Sequence, residues 1–286
     1  MTDLNNMTLK STLALFAISF LIITLGCNDA SKKEETSKEE WIQLFNGQDM
    51  EGWTPKIAGF EAGVNYKNTF RIENGYLSSS YSEYDTFSNE FGHLFYSKEK
   101  FSHYRLRAKY RFIGDQVKGG PGWAYRNNGL MLHSQAVESM DVDQDFPKSL
   151  EMQLLAGRGK GTGERSTGNL CTPGTNVYMM DTLFTPHCIN STSKTYHDDI
   201  WVNVEALVLG NSRVFHIVEG DTVLTFTKPT LDDGTPVDEG YITIQAESHP
   251  TQFEKIELLN LCGCKDSKAK NYKSYYVKDD RSKCEY

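Results

Sequence analysis

The run His103-Tyr104-Arg105-Leu106-Arg107-Ala108-Lys109-Tyr110-Arg111-Phe112 alternates without a break. Tyr104, Leu106, Ala108, Tyr110 and Phe112 fall on one side, and His103, Arg105, Arg107, Lys109 and Arg111 on the other. Successive side chains of a strand point to opposite faces, so this run reads as a strand with one apolar and one wet face. Residues 201–209 repeat the pattern, with Val202, Val204, Ala206 and Val208 against Trp201, Asn203 and Glu205. Residues 241–247 do so again, with Ile242, Ile244 and Ala246 opposite Thr243, Gln245 and Glu247. Further strands are expected at 69–73, 76–79, 94–96, 129–134, 150–155, 213–218, 222–226 and 253–259. Turn residues separate several of them: Asn74-Gly75, Glu219-Gly220-Asp221 and Asp233-Gly234. No helical period is sustained from about Trp41 onward. The expected fold is therefore all-β, a jelly-roll sandwich of two antiparallel sheets over residues 41–261.

The chain has 286 residues, of which 38% are hydrophobic, enough for a sizeable core and too many for a disordered chain. Thirty basic against 38 acidic side chains give a formal charge of −8, a field that repels phosphate backbones, so nucleic acid is not an expected partner. After Lys10 the stretch Ser11 to Gly26 carries no charge and is rich in Leu, Ile and Phe. It is shorter than the roughly 20 residues of a membrane span and suits the apolar centre of an export signal. Thr24-Leu25-Gly26-Cys27 resembles a bacterial lipoprotein cleavage box, so residues 1–26 read as a signal peptide and Cys27 as the lipidated residue. Residues 27–40, acidic and without a large apolar side chain before Trp41, read as a solvated tether. The expected location is the bacterial cell envelope, periplasmic or on the outer-membrane surface, with the membrane reached through the lipid.

Five cysteines follow Cys27, and an exported location permits disulfides. Cys171 with Cys188 would close a loop of Thr, Pro, Gly and Asn. Residues 262–286, with Gly263-Cys264-Lys265-Asp266, Ala269-Lys270-Asn271-Tyr272 and the closing Asp279-Asp280-Arg281-Ser282-Lys283-Cys284-Glu285-Tyr286, resemble a short cysteine-bracketed module at the ends of bacterial surface proteins. So short a segment makes little core without a staple, which pairs Cys264 with Cys284 and leaves Cys262 over. Cys262-x-Cys264 lacks the usual zinc-ligand spacing and no paired His follows, so no metal is assigned.

The strand Leu150-Glu151-Met152-Gln153-Leu154-Leu155 sends Leu150, Met152 and Leu154 inward and turns Glu151 and Gln153 together onto the opposite face, about 6.6 Å apart along the strand. Residues 129–135 behave alike, with Met131, His133 and Gln135 outward, so His133 and Glu151 are expected to share a groove. Sandwich glycosidases carry two carboxylates along one strand to flank the scissile bond. Here the second is missing, which disfavours that chemistry unless Glu205 or Glu247 supplies it. His216 alternates with Val214 and Val218, and His249, His187 and His197 sit in loops, without ligand spacing for a metal. The loop 157–163 meets neither phosphate-binding fingerprint and is expected at the mouth of the groove, with Arg158 and Arg165 near substrate. Trp201, Trp123 and Tyr125 are candidates for stacking on sugar rings.

These residues together resemble the 3-keto-disaccharide hydrolase family, through Leu44-Phe45-Asn46-Gly47 with Gly52-Trp53, Phe70-Arg71-Ile72-Glu73-Asn74-Gly75-Tyr76-Leu77, Asn128-Gly129-Leu130-Met131-Leu132-His133, Glu151-Met152-Gln153, Trp201-Val202-Asn203, Arg213 to His216, Gln245, and the closing Phe253-Glu254-Lys255-Ile256-Glu257-Leu258. The resemblance implies a concanavalin-like jelly roll and an enzyme acting on glycosides already oxidised at carbon 3. The ketone acidifies the hydrogen on carbon 2, so one base removes it, the group on carbon 1 is eliminated, and water adds afterwards. The assignment that follows has Glu151 or His133 as base. Gln153, Arg107 and His216 would bind hydroxyls or enolate, with Trp201, Gln245 and Glu247 on the substrate. No cofactor is implied. The alternative is a glycan-binding module without chemistry, since jelly rolls serve lectins equally well.

Overall fold

Alternation along each strand builds the two sheets of the computed structural model, which describes residues 36–159 and 163–286. The apolar leader, Cys27 and Lys160-Gly161-Thr162 lie outside the described residues. In chain order the strands are β1 (Ile42–Gln43), β2 (Trp53–Ile57), β3 (Phe70–Glu73), β4 (Tyr76–Ser79), β5 (Gly92–Phe101), β6 (His103–Phe112), β7 (Asn127–Ser134), β8 (Leu150–Leu155), β9 (Asn169–Cys171) and β10 (Thr175–Met179). There follow β11 (Thr182–Phe184), β12 (Cys188–Ile189), β13 (Val202–Leu209), β14 (Arg213–Val218), β15 (Asp221–Leu231), β16 (Gly240–Ala246), β17 (Thr251–Asn260), β18 (Cys262–Gly263) and β19 (Lys278–Asp279).

One antiparallel sheet has the order β11-β10-β15-β14-β13-β6-β17-β4-β3, with β1 also on β17. The other runs β12-β9-β8-β7-β16-β5-β2. The inward sides of both sheets form one core. It takes Tyr104, Leu106, Tyr110 and Phe112 from β6 and Val202, Val204, Ala206 and Val208 from β13. The other sheet adds Leu150, Met152 and Leu154 from β8 and Ile242, Ile244 and Ala246 from β16. Two hairpins close as their sequences require. Asn74 and Gly75 have φ of 54° and 81°, and Glu219 and Gly220 have 50° and 89°, the left-handed pair of a two-residue turn matching sheet twist.

Both expected disulfides, Cys171–Cys188 and Cys264–Cys284, are present, and Cys262 is free. The first joins residues directly opposed in the β9–β12 pair. The second brackets the segment that carries β19, whose parallel partner β18 lies immediately before Cys264. Residues Thr36–Tyr286 form one compact unit, and the segment's Ser274 exchanges hydrogen bonds of 2.8 and 3.0 Å with Ser37.

One expectation fails within β7. On β16, Tyr241 pairs with Ser134 and Thr243 with Met131, so two residues of β16 span three of β7. The extra residue is a bulge, and His133 within it has φ of 49°. The alternation therefore breaks after Leu132. His133 packs inside the sandwich, edge-on to the Tyr104 ring at 5.7 Å, instead of facing outward beside Glu151. Burial pushes its imidazole down to about 4, into the neutral form at ordinary pH.

The bulge is packed against backbone. A Cβ on Gly240 would come within 2.4 Å of the His133 carbonyl carbon. Gly240→Ala is expected to cost about 1–3 kcal/mol in urea denaturation, because main chain cannot move aside as a side-chain tip can. An unchanged unfolding midpoint would contradict this packing.

Candidate active site

The site grows from β8. With Leu150, Met152 and Leu154 fully buried in the core, Glu151 and Gln153 turn to the face away from it. Across β7, Glu151 opposes Met131 and Gln153 opposes Gly129. Gly129 has no side chain, and the Glu151 carboxyl uses that space: a Cβ at Gly129 would lie 2.6 Å from Glu151 Oε1. On β9, Asn169 donates to Gln153 Oε1 at 3.1 Å and is itself held by Ser166 and by the Ser191 amide. The Gln153 amide is thus oriented by a second layer of residues.

A cavity of about 500 Å³ lies over these strands, within the range of small-ligand sites. Glu151, Gln153, Asn127 and Glu247 form its polar wall, Arg158 and Arg165 its cationic rim, and Trp123 and Phe146 its aromatic wall. Both aromatic side chains lean on Phe91, with ring centroids 5.7 and 5.1 Å away. Arg165 clamps the loop that carries Trp123, donating to the carbonyls of Trp123 at 3.1 Å, Arg126 at 3.1 Å and Ala156 at 2.8 Å, and to that of Tyr125. Burial, reinforced by the nearby Arg158 charge, pushes the Arg165 guanidinium down to about 10, so it remains a cation.

The two carboxyls decide the electrostatics. Glu151 is 5% and Glu247 3% exposed. Glu151 Oε1 and Glu247 Oε2 are buried and accept no hydrogen bond among the described residues. Burial raises both groups above the ordinary carboxylate range, and for Glu247 the neighbouring Glu151 charge adds to it while Arg165 opposes it. Two carboxyls buried in one site hold a proton between them where exposed ones would have lost it. Glu247 thus supplies the second carboxylate missing from β8. Glu205 does not, because it pairs with Arg105 at 2.8 Å on the far face of the other sheet.

Four more expected site residues, Arg107, Trp201, His216 and Gln245, do not line this cavity. Arg107 projects from the outer face of the ten-stranded sheet, ion-paired with Glu257 and stacked 3.7 Å from the Trp41 ring centroid. Trp201 lies on that same face, against Arg111 and Tyr76. Their strands face water on the side opposite the cavity. His216 is fully buried in the core, its Nδ1 3.0 Å from the Gly168 carbonyl and its ring against Phe226. Gln245 is fully buried in β16 with neither amide atom hydrogen-bonded among the described residues, and it continues the row of Gln153 and Gly129 without lining the cavity. Of the stacking candidates only Trp123 lines the cavity, while Tyr125 packs on His249. Phe146 and Asn127 were not legible as site residues, since a loop aromatic and a buried strand Asn carry no spacing signal.

His216 against Phe226, His249 against Phe112 and His187 at the cavity meet different neighbours and form no shared metal centre among the described residues. The group of potential ligands found there, Cys171, His187 and Cys188, has both sulfurs joined in the disulfide, so it offers no thiolate. A larger cleft of about 840 Å³ opens at the other end of β7 and β16. Its acidic side chains, Asp141, Asp238 and Glu239, are all exposed, so the buried carboxyl pair favours the smaller cavity as the reactive one.

The 3-keto-alpha-glucoside-1,2-lyase-like domain family matches residues 40–259, which contain every residue of this cavity. No curated protein matches the chain. Among solved structures, a suspected glycosyl hydrolase of Parabacteroides distasonis is 16% identical with a TM-score of 0.49, over 77% of this chain and 93% of that one. A Bacillus subtilis protein with a galectin-like fold is 12% identical with a TM-score of 0.46, over 78% and 97%. The carbohydrate-binding module CBM66 of Bacillus subtilis is 11% identical with a TM-score of 0.43, over 73% and 96%.

The raised carboxyls set a pH dependence whose sign follows from linkage. Unfolded, each glutamate titrates near 4.5, while folded each keeps its proton to higher pH. Their contribution to stability is complete below that value and is lost as pH rises through the folded values. Glu247→Gln is therefore expected to melt higher than the wild type at about pH 8 and to show no such gain at about pH 4. A wild type more stable than this variant at the higher pH would contradict the burial of the pair.

Proposed function

Because the chain belongs to the 3-keto-alpha-glucoside-1,2-lyase-like domain family, we propose that its carbohydrate-related cavity cleaves 3-keto-glycosides by proton abstraction and elimination. The observation that carries this reading is the buried Glu151–Glu247 pair. Elimination beside a ketone needs one ionised base and one neutral hydrogen-bond donor, and a pair of carboxyls with one proton between them supplies both.

In this assignment Glu151 is the base and Glu247 keeps the proton. The sugar lies on the Trp123 face with its C3 ketone toward Glu247 and its C2 hydrogen toward Glu151. Glu151 takes that hydrogen as a proton, and the bonding pair moves into a C2=C3 enolate. The Glu247 O–H and the Arg165 charge stabilise the enolate oxygen where charge develops. Collapse of the enolate re-forms the ketone, makes the C1=C2 bond and breaks the bond from C1 to the leaving oxygen, which departs with its electron pair and takes up a proton. Water then adds across C1=C2 to give the free 3-keto sugar. Gln153, held by Asn169, binds a ring hydroxyl. His133, Arg107, His216 and Trp201 have no part in this assignment.

The placement of the domain follows the same logic. A lipid on Cys27 would hold it in the cell envelope, where oligosaccharides reach it before uptake. A glycan-binding module without chemistry is the competing reading, and it gives no reason for a costly buried carboxyl pair. Direct hydrolysis of an unoxidised glycoside by the same two carboxyls is separated by substrate.

Purified protein offered methyl 3-keto-α-glucoside and methyl α-glucoside is expected to consume only the keto sugar. Glu151→Gln is expected to lower that turnover by about 10²–10⁴. Full turnover by the variant would remove Glu151 as base. Cleavage of the plain glucoside would favour two-carboxylate hydrolysis, and binding without turnover would favour the lectin.

A further inference from the structure

Elimination leaves an oxygen that must be protonated as it departs, and neither carboxyl in the assignment above is spare for it. The seven histidines of the chain narrow the choice. Burial pushes His93, His133, His216 and His249 down to about 3 or 4, so they stay neutral. Of the other three, His103 and His197 do not line the Glu151 cavity, whereas His187 lines it and is open to water.

Its position is built. Cys171 stands directly opposite Glu151 in the β8–β9 pair and directly opposite Cys188 in the β9–β12 pair. The disulfide closes that second pairing covalently, immediately beside His187. The His187 carbonyl accepts from the Thr172 amide at 2.9 Å and the Thr172 hydroxyl at 3.2 Å. One imidazole nitrogen lies within 4.8 Å of both sulfurs. The His187 backbone is therefore held across β9 from the base, and its side chain lines the cavity shared by Glu151, Glu247, Arg158 and Arg165.

We propose that His187 is a further catalytic residue, the general acid that protonates the departing oxygen at the rim, and that the Cys171–Cys188 disulfide is the strut that positions it. This rests on the elimination reading above. The imidazolium N–H gives its proton to the leaving oxygen as the bond to C1 breaks, and the neutral ring recovers a proton from water.

The test compares two substrates on the intact protein. Methyl 3-keto-α-glucoside has a leaving group that needs a proton, whereas 4-nitrophenyl 3-keto-α-glucoside has one that leaves as a stable anion. His187→Gln is expected to lower kcat on the methyl substrate by about 10²-fold or more, to leave kcat on the nitrophenyl substrate little changed, and to keep the wild-type melting temperature. A merely structural role would lower both rates together. Equal losses on the two substrates, or none on either, would overturn the role of His187 while leaving the elimination reading intact. A wild type inactive on both would overturn that reading, and His187 as acid with it.

Discussion

Glu151 and Glu247 are buried in one cavity with a proton to share, and most of the surrounding structure accommodates that cost. An ionised carboxyl taken out of water is expensive, and two side by side are worse. The sheet admits the first because Gly129 leaves a gap where Glu151 lies down, a gap any Cβ would fill. It admits the second beside the Arg165 cation, which is held in place by the carbonyls of the loop it clamps. Trp123 and Phe146, both stacked or tilted on Phe91, form the aromatic side of the same space.

The two outer faces of the sandwich divide the work. On the ten-stranded sheet Arg105 meets Glu205, Arg107 and Lys255 meet Glu257, and Lys109 meets Glu254. Charges paired across strands in this way give register and solubility and little reactivity. On the seven-stranded sheet the carboxyls are left without cross-strand cations, and polar atoms of Glu151, Gln245, Asn127 and Glu247 are buried without partners among the described residues. Chemistry belongs where polarity is concentrated and unsatisfied, because there a substrate can supply the missing partner.

Period-two alternation carried the fold far. It located the long strands and placed Glu151 and Gln153 on the face away from the core, and the two-residue turns followed from their glycines. It could not see eight short strands, β1, β2, β9 to β12, β18 and β19, whose two to five residues show too few alternations to register. It also erred by one residue at His133, where a bulge with left-handed backbone turned the side chain inward. Arg107 and Trp201 show a different limit. Alternation says which side of its own strand a residue occupies, not which of two outer faces that side becomes. The partnership of Glu247 with Glu151 arises only when β16 and β8 flank β7, a long-range pairing that no local window contains.

The most direct measurement is a carboxyl ¹³C NMR titration of the glutamates, with Glu151 and Glu247 assigned from Glu151→Gln and Glu247→Gln, from about pH 3 to about pH 10. A proton still held between the two carboxyls at neutral pH, and a neighbour that titrates lower once its partner is replaced, is the result the buried pair predicts. Two independent titrations near the ordinary glutamate value, unaffected by either substitution, would contradict it.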